Sequence, residues 1–255
     1  MELSAHTDLL ELAEEPSLSL PPEPGRELLE RDGYLLVVRG RRASVERIRL
    51  GDVERAVAEV RAYAPERELE AVTWWIGERS TPADTVVRLV ALGLEPDDEM
   101  PVSTTLTIAP RPAGNPVVEV RRIETAEDYL RAREIAWVIW PEHDEIDWRE
   151  SWAALAGSDV SRHYLAFLDG EAVGFGRAVF TPAATLLMGG AVLPQARGRG
   201  VYGSLVHARW DDSVARGVPR LLVGAGRMSA PILARLGFQR IGEIRLLRDA
   251  FEHGV

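Results

Sequence analysis

Cysteine is absent from the 255 residues. That excludes disulfides, thiolate metal ligands and a cysteine nucleophile, and no other pattern reads as a metal site. Lysine is absent too: all 30 basic residues are arginine, against 40 acidic ones, for a formal charge of −10. A net-acidic chain is poorly suited to nucleic acid, which calls for a basic face. No apolar run reaches the ~18 residues of a membrane span. The start Met1-Glu2-Leu3-Ser4 lacks the basic and apolar regions of a signal peptide. The expectation is a cytoplasmic protein that binds neither membrane nor nucleic acid, its oligomeric state open and a homodimer among the options.

Pro110-Arg111-Pro112-Ala113-Gly114-Asn115-Pro116 holds three prolines and a glycine and can continue neither helix nor strand. It divides the chain into 1–110 and 117–255, with 111–116 as linker, each part long enough to bury a core. Pro21-Pro22-Glu23-Pro24-Gly25 is a second break, and the short segment before it reads as an acidic helix.

Functional information concentrates between Gly189 and Gly203. An apolar strand runs into the loop Pro194-Gln195-Ala196-Arg197-Gly198-Arg199-Gly200-Val201-Tyr202-Gly203, and an amphipathic helix follows from Ser204 to Arg216. Glycine lets the backbone approach a ligand closely. Amides at a helix start are unpaired donors that, with the positive end of the helix dipole, favour phosphate. Arg197 and Arg199 add charge. Read as Gly198-x-Gly200-x-x-Gly203, the loop matches a dinucleotide fingerprint. However, Pro194 to Arg197 separate it from the strand, and the next strand ends Val223-Gly224-Ala225-Gly226 without the acid a ribose needs.

The same residues resemble the coenzyme-A loop of the GNAT acetyltransferase superfamily, Arg/Gln-x-x-Gly-x-Gly/Ala after a strand ending Val-x-Pro. Gln195-x-x-Gly198-x-Gly200 fits literally. Arg197-x-x-Gly200-x-Tyr202 is preferred because it keeps the spacing from Val192-x-Pro194, although it puts Tyr202 where a small residue is usual. The resemblance continues along roughly 117–250. A strand at Val117 to Ile123 is followed by helices at Thr125 to Trp140 and Asp147 to Ala156. Tyr164 to Leu168 and Ala172 to Phe180 form a hairpin across Asp169-Gly170, and Thr185 to Leu193 is the next strand. Arg220 to Val223 is a strand, Ser229 to Leu236 a helix stopped by Gly237, and Gln239 to Arg248 supplies closing strands.

The resemblance implies an α+β sandwich with a mixed, mostly antiparallel sheet flanked by helices. It also implies acyl transfer without a metal, from acetyl-CoA to an amine on a small molecule or peptide. The backbone of Ala191, Val192 and Leu193 would hold the pantetheine arm and polarise the thioester. Arg197, Gly198, Arg199, Gly200, Val201, Tyr202 and Gly203 would cradle the pyrophosphate, and Ser229 is a further cofactor contact. Gly189-Gly190 reads as a bulge in the strand or as tight packing. The base is expected within Trp140-Pro141-Glu142-His143-Asp144-Glu145, His143 first on intrinsic pKa and Glu142 next. The same residues also read as a solvated loop capping the following helix. His163 and His207 read as structural. Trp137, Trp140, Trp148 and Trp152 read as packing, or as the lining of an acceptor pocket. One departure stands out: Leu233 occupies the position where many members carry the Tyr that protonates the departing thiolate. It leaves that role to water or Tyr202, and it keeps open a second function, a non-catalytic acyl-CoA-binding sensor or scaffold.

The first 110 residues carry internal similarity to this region. Tyr34 to Gly40 resembles Tyr164 to Gly170, and Ala91-Leu92-Gly93-Leu94 resembles Arg235-Leu236-Gly237-Phe238. Between these anchors the reading is a helix at Asp52 to Tyr63, a strand at Ala71 to Ile76, and a helix at Pro82 to Leu92 opened by Thr81. The hairpin arm Ser44 to Leu50 runs straight into the first helix, so no phosphate loop intervenes. This half reads as a degenerate GNAT-like unit, the two units standing in tandem and packing together.

Overall fold

In the computed structural model, which describes residues 9–141 and 147–251, the strands join into one continuous sheet. The chain opens with a helical turn α1 over residues 9–14. The first half then runs β1 (Arg26–Arg31), β2 (Tyr34–Arg39), β3 (Arg42–Glu46), α2 (Val53–Tyr63), β4 (Ala71–Ile76), α3 (Thr85–Ala91), β5 (Glu95–Pro96) and β6 (Val102–Ile108). The second half runs β7 (Val118–Arg122), α4 (Ala126–Ile139), α5 (Trp148–Leu155), β8 (Ser161–Leu168), β9 (Glu171–Phe180) and β10 (Thr185–Val192). It closes with α6 (Val201–Ala215), β11 (Leu221–Ala225), α7 (Ala230–Arg235) and β12 (Gln239–Ala250).

Local chemistry accounts for most boundaries. Thr125 caps α4 by accepting the Asp128 amide at 3.2 Å, and Asp52 caps α2 through the Arg55 amide at 3.0 Å. Asp169 and Gly170, at φ +54° and +85°, make the two-residue turn that sets Leu168 opposite Glu171. The expected start of α3 at Pro82 is corrected to Thr85. The Pro82 carbonyl is taken by the Thr85 amide at 3.0 Å and by its hydroxyl at 2.5 Å, closing a separate turn before the helix begins.

The strand order is β1-β2-β3-β4-β12-β6-β11-β10-β9-β8-β7, with β5 also beside β12. Two strands cross the seam. β6, which precedes the linker, lies between β11 and β12, antiparallel to both. β12, the last strand, pairs through Gln239–Arg245 with β6 and through Arg245–Ala250 with β4. The expected pair of closing strands is therefore a single strand, and the place of the other is filled by β6. Each half thus donates its final strand across the seam.

The halves repeat one another around that exchange. β3 runs parallel to β4 as β10 does to β11, and a helix makes each crossover. Both short helices α3 and α7 end on a left-handed glycine, Gly93 at φ +92° and Gly237 at φ +96°. In each the next amide returns to the helix: Leu94 to the Leu89 carbonyl and Phe238 to the Leu233 carbonyl, both at 3.1 Å.

The sheet carries separate cores on its two faces. On β11, Leu221 and Val223 pack beneath α6 and α7 with Val206, Trp210 and Leu233. Leu222 between them points to the other face, where Leu9, Ala13 and Leu20 of the leading segment cover Leu186, Ile244 and Leu246. α4 and α5 cover β8 and β9 through Tyr129, Ile135, Leu155, Leu165 and Phe167. Trp74 is the centre of the first half's core, beneath α2 and α3.

Candidate functional site

The site is built where β10 and β11 part. The two run parallel but are in register only at Thr185 opposite Leu221 and Leu186 opposite Leu222. Beyond Leu186 they diverge, leaving the far half of β10 without a neighbour on that side. β10 is also interrupted. Its pairing with β9 slips between Met188 and Ala191, and Gly189 sits at φ +52°, so Gly189-Gly190 is a bulge. The close packing read as the alternative is present as well: a β-carbon on Gly190 would meet the Tyr202 ring at 3.1 Å.

The bulge sets which amides face the opening. Leu193 gives its amide to the Val173 carbonyl of β9 at 2.8 Å, so it is spent within the sheet. Amides alternate along a strand, so that of Val192 faces the parted side. The Val192 carbonyl accepts from Arg197 Nε at 3.3 Å, consistent with that orientation. Ala191 is buried opposite Phe175.

The loop beyond β10 turns through a short 3-10 segment, Pro194–Ala196. Gly198 and Gly200 take φ +75° and +80°, and α6 starts at Val201 with Gly200 as its cap residue. Among the described residues no side chain caps that start. The first-turn amides, those of Val201, Tyr202 and Gly203 among them, therefore lack the acceptor that Asp52 supplies to α2. Arg197 and Arg199 are exposed at the mouth of the loop, Arg199 bonded to Asp169 at 3.0 Å. Tyr202 turns its ring inward against Gly190, away from the loop mouth, and burial raises the pKa of its hydroxyl.

The linker is part of this site, which sequence reading missed. It lies along α6: Arg111 pairs with Asp211 at 2.8 Å, the Pro112 carbonyl meets His207 Nδ1 at 2.8 Å, and the Asn115 amide donates to Ser204 Oγ at 2.8 Å. The Asn115 side chain then donates to the Arg199 carbonyl at 2.9 Å. His207 is accordingly a linker contact. His163 is enclosed against Tyr129, with ring centroids 5.5 Å apart. Burial and the nearby Arg177 and Arg133 charges depress its pKa to about 3.

Beneath the bulge lies a second feature no sequence signal announced. Arg209 of α6 is 1% exposed and donates Nε to the Leu205 carbonyl at 2.9 Å and Nη1 to the Arg177 carbonyl at 3.2 Å. Its Nη2 has no hydrogen-bond partner, and no carboxylate pairs with it among the described residues.

Other expected residues separate from this group. Ser229 precedes α7 and bonds weakly to the Gly226 carbonyl at 3.4 Å. Leu233 is fully buried beneath β6 and β11, so this position of α7 presents no acid. Trp148 and Trp152 pack in the core of α4 and α5, and Trp140 stacks edge-on against Phe175. His143 and Glu142 lie outside the described residues.

On the face away from α6, a cavity of about 670 Å³ runs from the parted strands to the first half. Met188, Met100, Leu246, Trp75, Glu46 and Arg39 are among the residues that line it. Met100 also touches the end of β11, since a β-carbon on Gly226 would lie 3.3 Å from its sulfur.

Among curated proteins, none matches the sequence significantly. Solved structures match it over nearly its full length. A GCN5-related N-acetyltransferase from Kribbella flavida aligns with TM-score 0.70 at 15% identity, covering 98% of this chain and 96% of its own. A tandem GNAT protein from the clavulanic acid biosynthesis pathway aligns with TM-score 0.63 at 16% identity, covering 99% and 95%. A GCN5-related N-acetyltransferase from Sphaerobacter thermophilus gives 0.63 at 19% identity, covering 90% and 77%. At such identities the likeness is one of fold, and it bears out the mixed, helix-flanked sheet. The sequence itself matches the acetyltransferase (GNAT) family model over residues 124–238, the stretch that contains the parted strands, the bulge and the uncapped start of α6. That stretch of the chain is a GNAT acetyltransferase domain.

Proposed function

We propose that the protein is an acyl-CoA-dependent N-acyltransferase, with acetyl-CoA as donor and an amine as acceptor. The observation that carries this reading is the uncapped start of α6. Two left-handed glycines, two exposed arginines and free first-turn amides stand at the mouth of a gap between β10 and β11. Diphosphate suits that arrangement, and an extended pantetheine arm suits the gap. Residues 1–110 lack such a loop and cap their crossover helix with Asp52, which would repel phosphate. They are read here as the degenerate unit, with the division at 111–116.

When bound, the donor supplies a thioester carbonyl and a thiolate leaving group. The Val192 amide would donate to the carbonyl oxygen as negative charge grows there. The attacking amine must be neutral and must lose a proton. β10 offers no base, since Thr185 to Val192 contains no titratable side chain. His143, with Glu142 next, keeps that role in the proposal. Tyr202, whose phenol burial holds protonated, packs against the bulge at Gly190 and is the acid assigned here. Ser229 is a candidate cofactor contact at the end of β11.

Calorimetric titration of acetyl-CoA into the wild type and a Gly200→Glu variant tests the donor site. Binding to wild type alone, with both proteins melting cooperatively, supports it; no binding to either sinks it. Leu233 favours a second reading, an acyl-CoA-binding sensor without turnover. Binding of acetyl-CoA with no amine-dependent release of CoA would select that reading.

A further inference from the structure

Two polar groups of α6 converge beneath the bulge. A β-carbon on Gly190 would meet the Tyr202 ring at 3.1 Å and Arg209 Nη2 at 3.7 Å. On the neighbouring strand, a β-carbon on Gly176 would stand 3.1 Å from the Arg209 guanidinium carbon. Glycine on both β9 and β10 is what admits a guanidinium here. Its bonds to the Leu205 and Arg177 carbonyls then hold the charge in place, with Nη2 left over.

The counter-ion that α6 could offer Arg209 is committed elsewhere. Asp212, one turn on, accepts from Arg122 Nε at 3.0 Å, Arg162 Nη1 at 3.0 Å and the Tyr164 hydroxyl at 2.5 Å. Tyr164 and Tyr202 are the titratable groups whose charge bears on Arg209. Tyr164 is taken by Asp212, which leaves Tyr202. Its hydroxyl has no hydrogen-bond partner among the described residues, and Arg209 is the charge that acts on it. The Tyr202 ring packs with Leu187 of β10, Val223 and Ala225 of β11 and Leu233 of α7. Those strand residues lie just beyond Leu186 and Leu222, the last pair before the strands part. Tyr202 therefore shares a cluster with the α7 position that carries no acid.

A phenol buried alone resists ionisation, and a guanidinium buried alone is costly. Side by side, a phenolate and a guanidinium would be a matched pair. We propose that Tyr202 and Arg209 form the leaving-group site of the donor, Tyr202 as the acid and Arg209 as the positioning residue that holds its charge. The proposal rests on the acyltransferase reading and deepens it. As the C–S bond of the thioester breaks, its electron pair stays on sulfur. Tyr202 gives its phenolic proton to that sulfur and is left as a phenolate beside Arg209. The proton shed by the attacking amine returns to Tyr202 through water. A guanidinium fixed beforehand has no need to reorganise as the charge appears. The arrangement accounts for Leu233, since an acid delivered from the start of α6 makes one on α7 dispensable.

The test is made at equilibrium and needs no acceptor. Free CoA is bound to the full chain, and its thiol is titrated by the ultraviolet absorbance of the thiolate in wild type, Tyr202→Phe and Arg209→Met. A phenol that donates to sulfur beside a fixed cation should hold the bound thiol about one unit below the ~8.5 of a free thiol, about 10-fold in proton affinity. Tyr202→Phe, which removes one hydroxyl, should return it to the free value. Arg209→Met should raise it by a like amount, and the double variant should raise it no further. A merely structural Arg209 would leave the titration unmoved. A bound thiol at its free value in wild type, or a wild-type titration in Tyr202→Phe, overturns the proposal whether or not Arg209→Met folds, while CoA binding leaves the donor site standing. Additive shifts in the double variant overturn it too, because Arg209 would then act without Tyr202. Failure of both CoA and acetyl-CoA to bind removes the donor reading, and the proposal with it.

Discussion

Asn115, the single asparagine of the chain, donates its side-chain amide to the carbonyl of Arg199 at 2.9 Å. A β-carbon on Gly200 would lie only 2.9 Å from that of Asn115. The linker residue thus presses against the loop from outside and fixes the turn that leads into α6. Losing one such hydrogen bond costs about 1 kcal/mol. Asn115→Ala should therefore weaken acetyl-CoA binding by roughly fivefold, measured by calorimetry, with a melting temperature within a few degrees of wild type. Gly200→Ala should do more harm, because it adds a left-handed alanine to a contact that has no room for it. Unchanged affinity in both variants would mean that the loop is not organised from the linker.

The exchange of β6 and β12 makes a second expectation. β6 separates β11 from β12, and Leu106 and Ile108 on it are buried with Val223 and Phe238. A fragment starting at residue 117 would leave β11 and β12 with an unfilled strand position between them and a bared core. Residues 1–110 and 117–255, expressed apart, should each aggregate, whereas co-expression should recover a soluble pair. The intact chain should melt in one transition by calorimetry. Two transitions, or a soluble and cooperatively folded 117–255 fragment, would show that the exchange is dispensable.

These cases mark what a single sequence reveals. Loop chemistry is local, so the strand and the glycines were legible from Val192 to Gly203, although α6 begins at Val201 rather than at the expected Ser204, because Gly200 already supplies the left-handed cap. The repeated caps at Gly93 and Gly237 were legible for the same reason: a helix stop is written in two or three residues. The exchange was not, because Val102 to Ile108 and Gln239 to Ala250 would show the same alternation whichever strands they joined. Nor was Arg209, whose significance lies in a partner its Nη2 lacks, and spacing carries no record of that. The start of α3 was misread because Thr81-Pro82 has the composition of a helix opening while the Pro82 carbonyl is already committed to Thr85.

His163 supplies a pH signature. Its folded pKa of about 3 lies below the ordinary histidine value, chiefly through burial and then through Arg177 and Arg133. The unfolded chain therefore binds the extra proton first. The neutral histidine contributes no penalty above about pH 6.5, and stability falls as pH drops from there toward the folded pKa. At pH 5 the cost should be ~2 kcal/mol. In urea unfolding at pH 7 and pH 5, His163→Gln should lose less stability than wild type between the two. Parallel losses would place the titration elsewhere.

Arg209 poses the sharpest choice between structure and chemistry. A buried charge without a counter-ion costs several kcal/mol, and apolar replacements of such groups are often neutral or stabilising. Burial works to lower its pKa, opposed by Tyr202 and Tyr164, but an arginine stays charged. Its unpartnered Nη2 lies 3.7 Å from where a β-carbon on Gly190 would be, directly behind the bulge. A fixed positive charge there favours negative charge developing on a carbonyl oxygen at the open side of β10. If that is its purpose, Arg209→Met should melt at the same temperature as wild type or a few degrees higher. Its acetyl-CoA affinity should stay within about 3-fold, while single-turnover release of CoA slows by about 10-fold, or ~1.4 kcal/mol of barrier. A variant that unfolds would instead make Arg209 a structural tie between α6 and β9 through the Arg177 carbonyl. One that melts and turns over like wild type would leave its buried charge without a return.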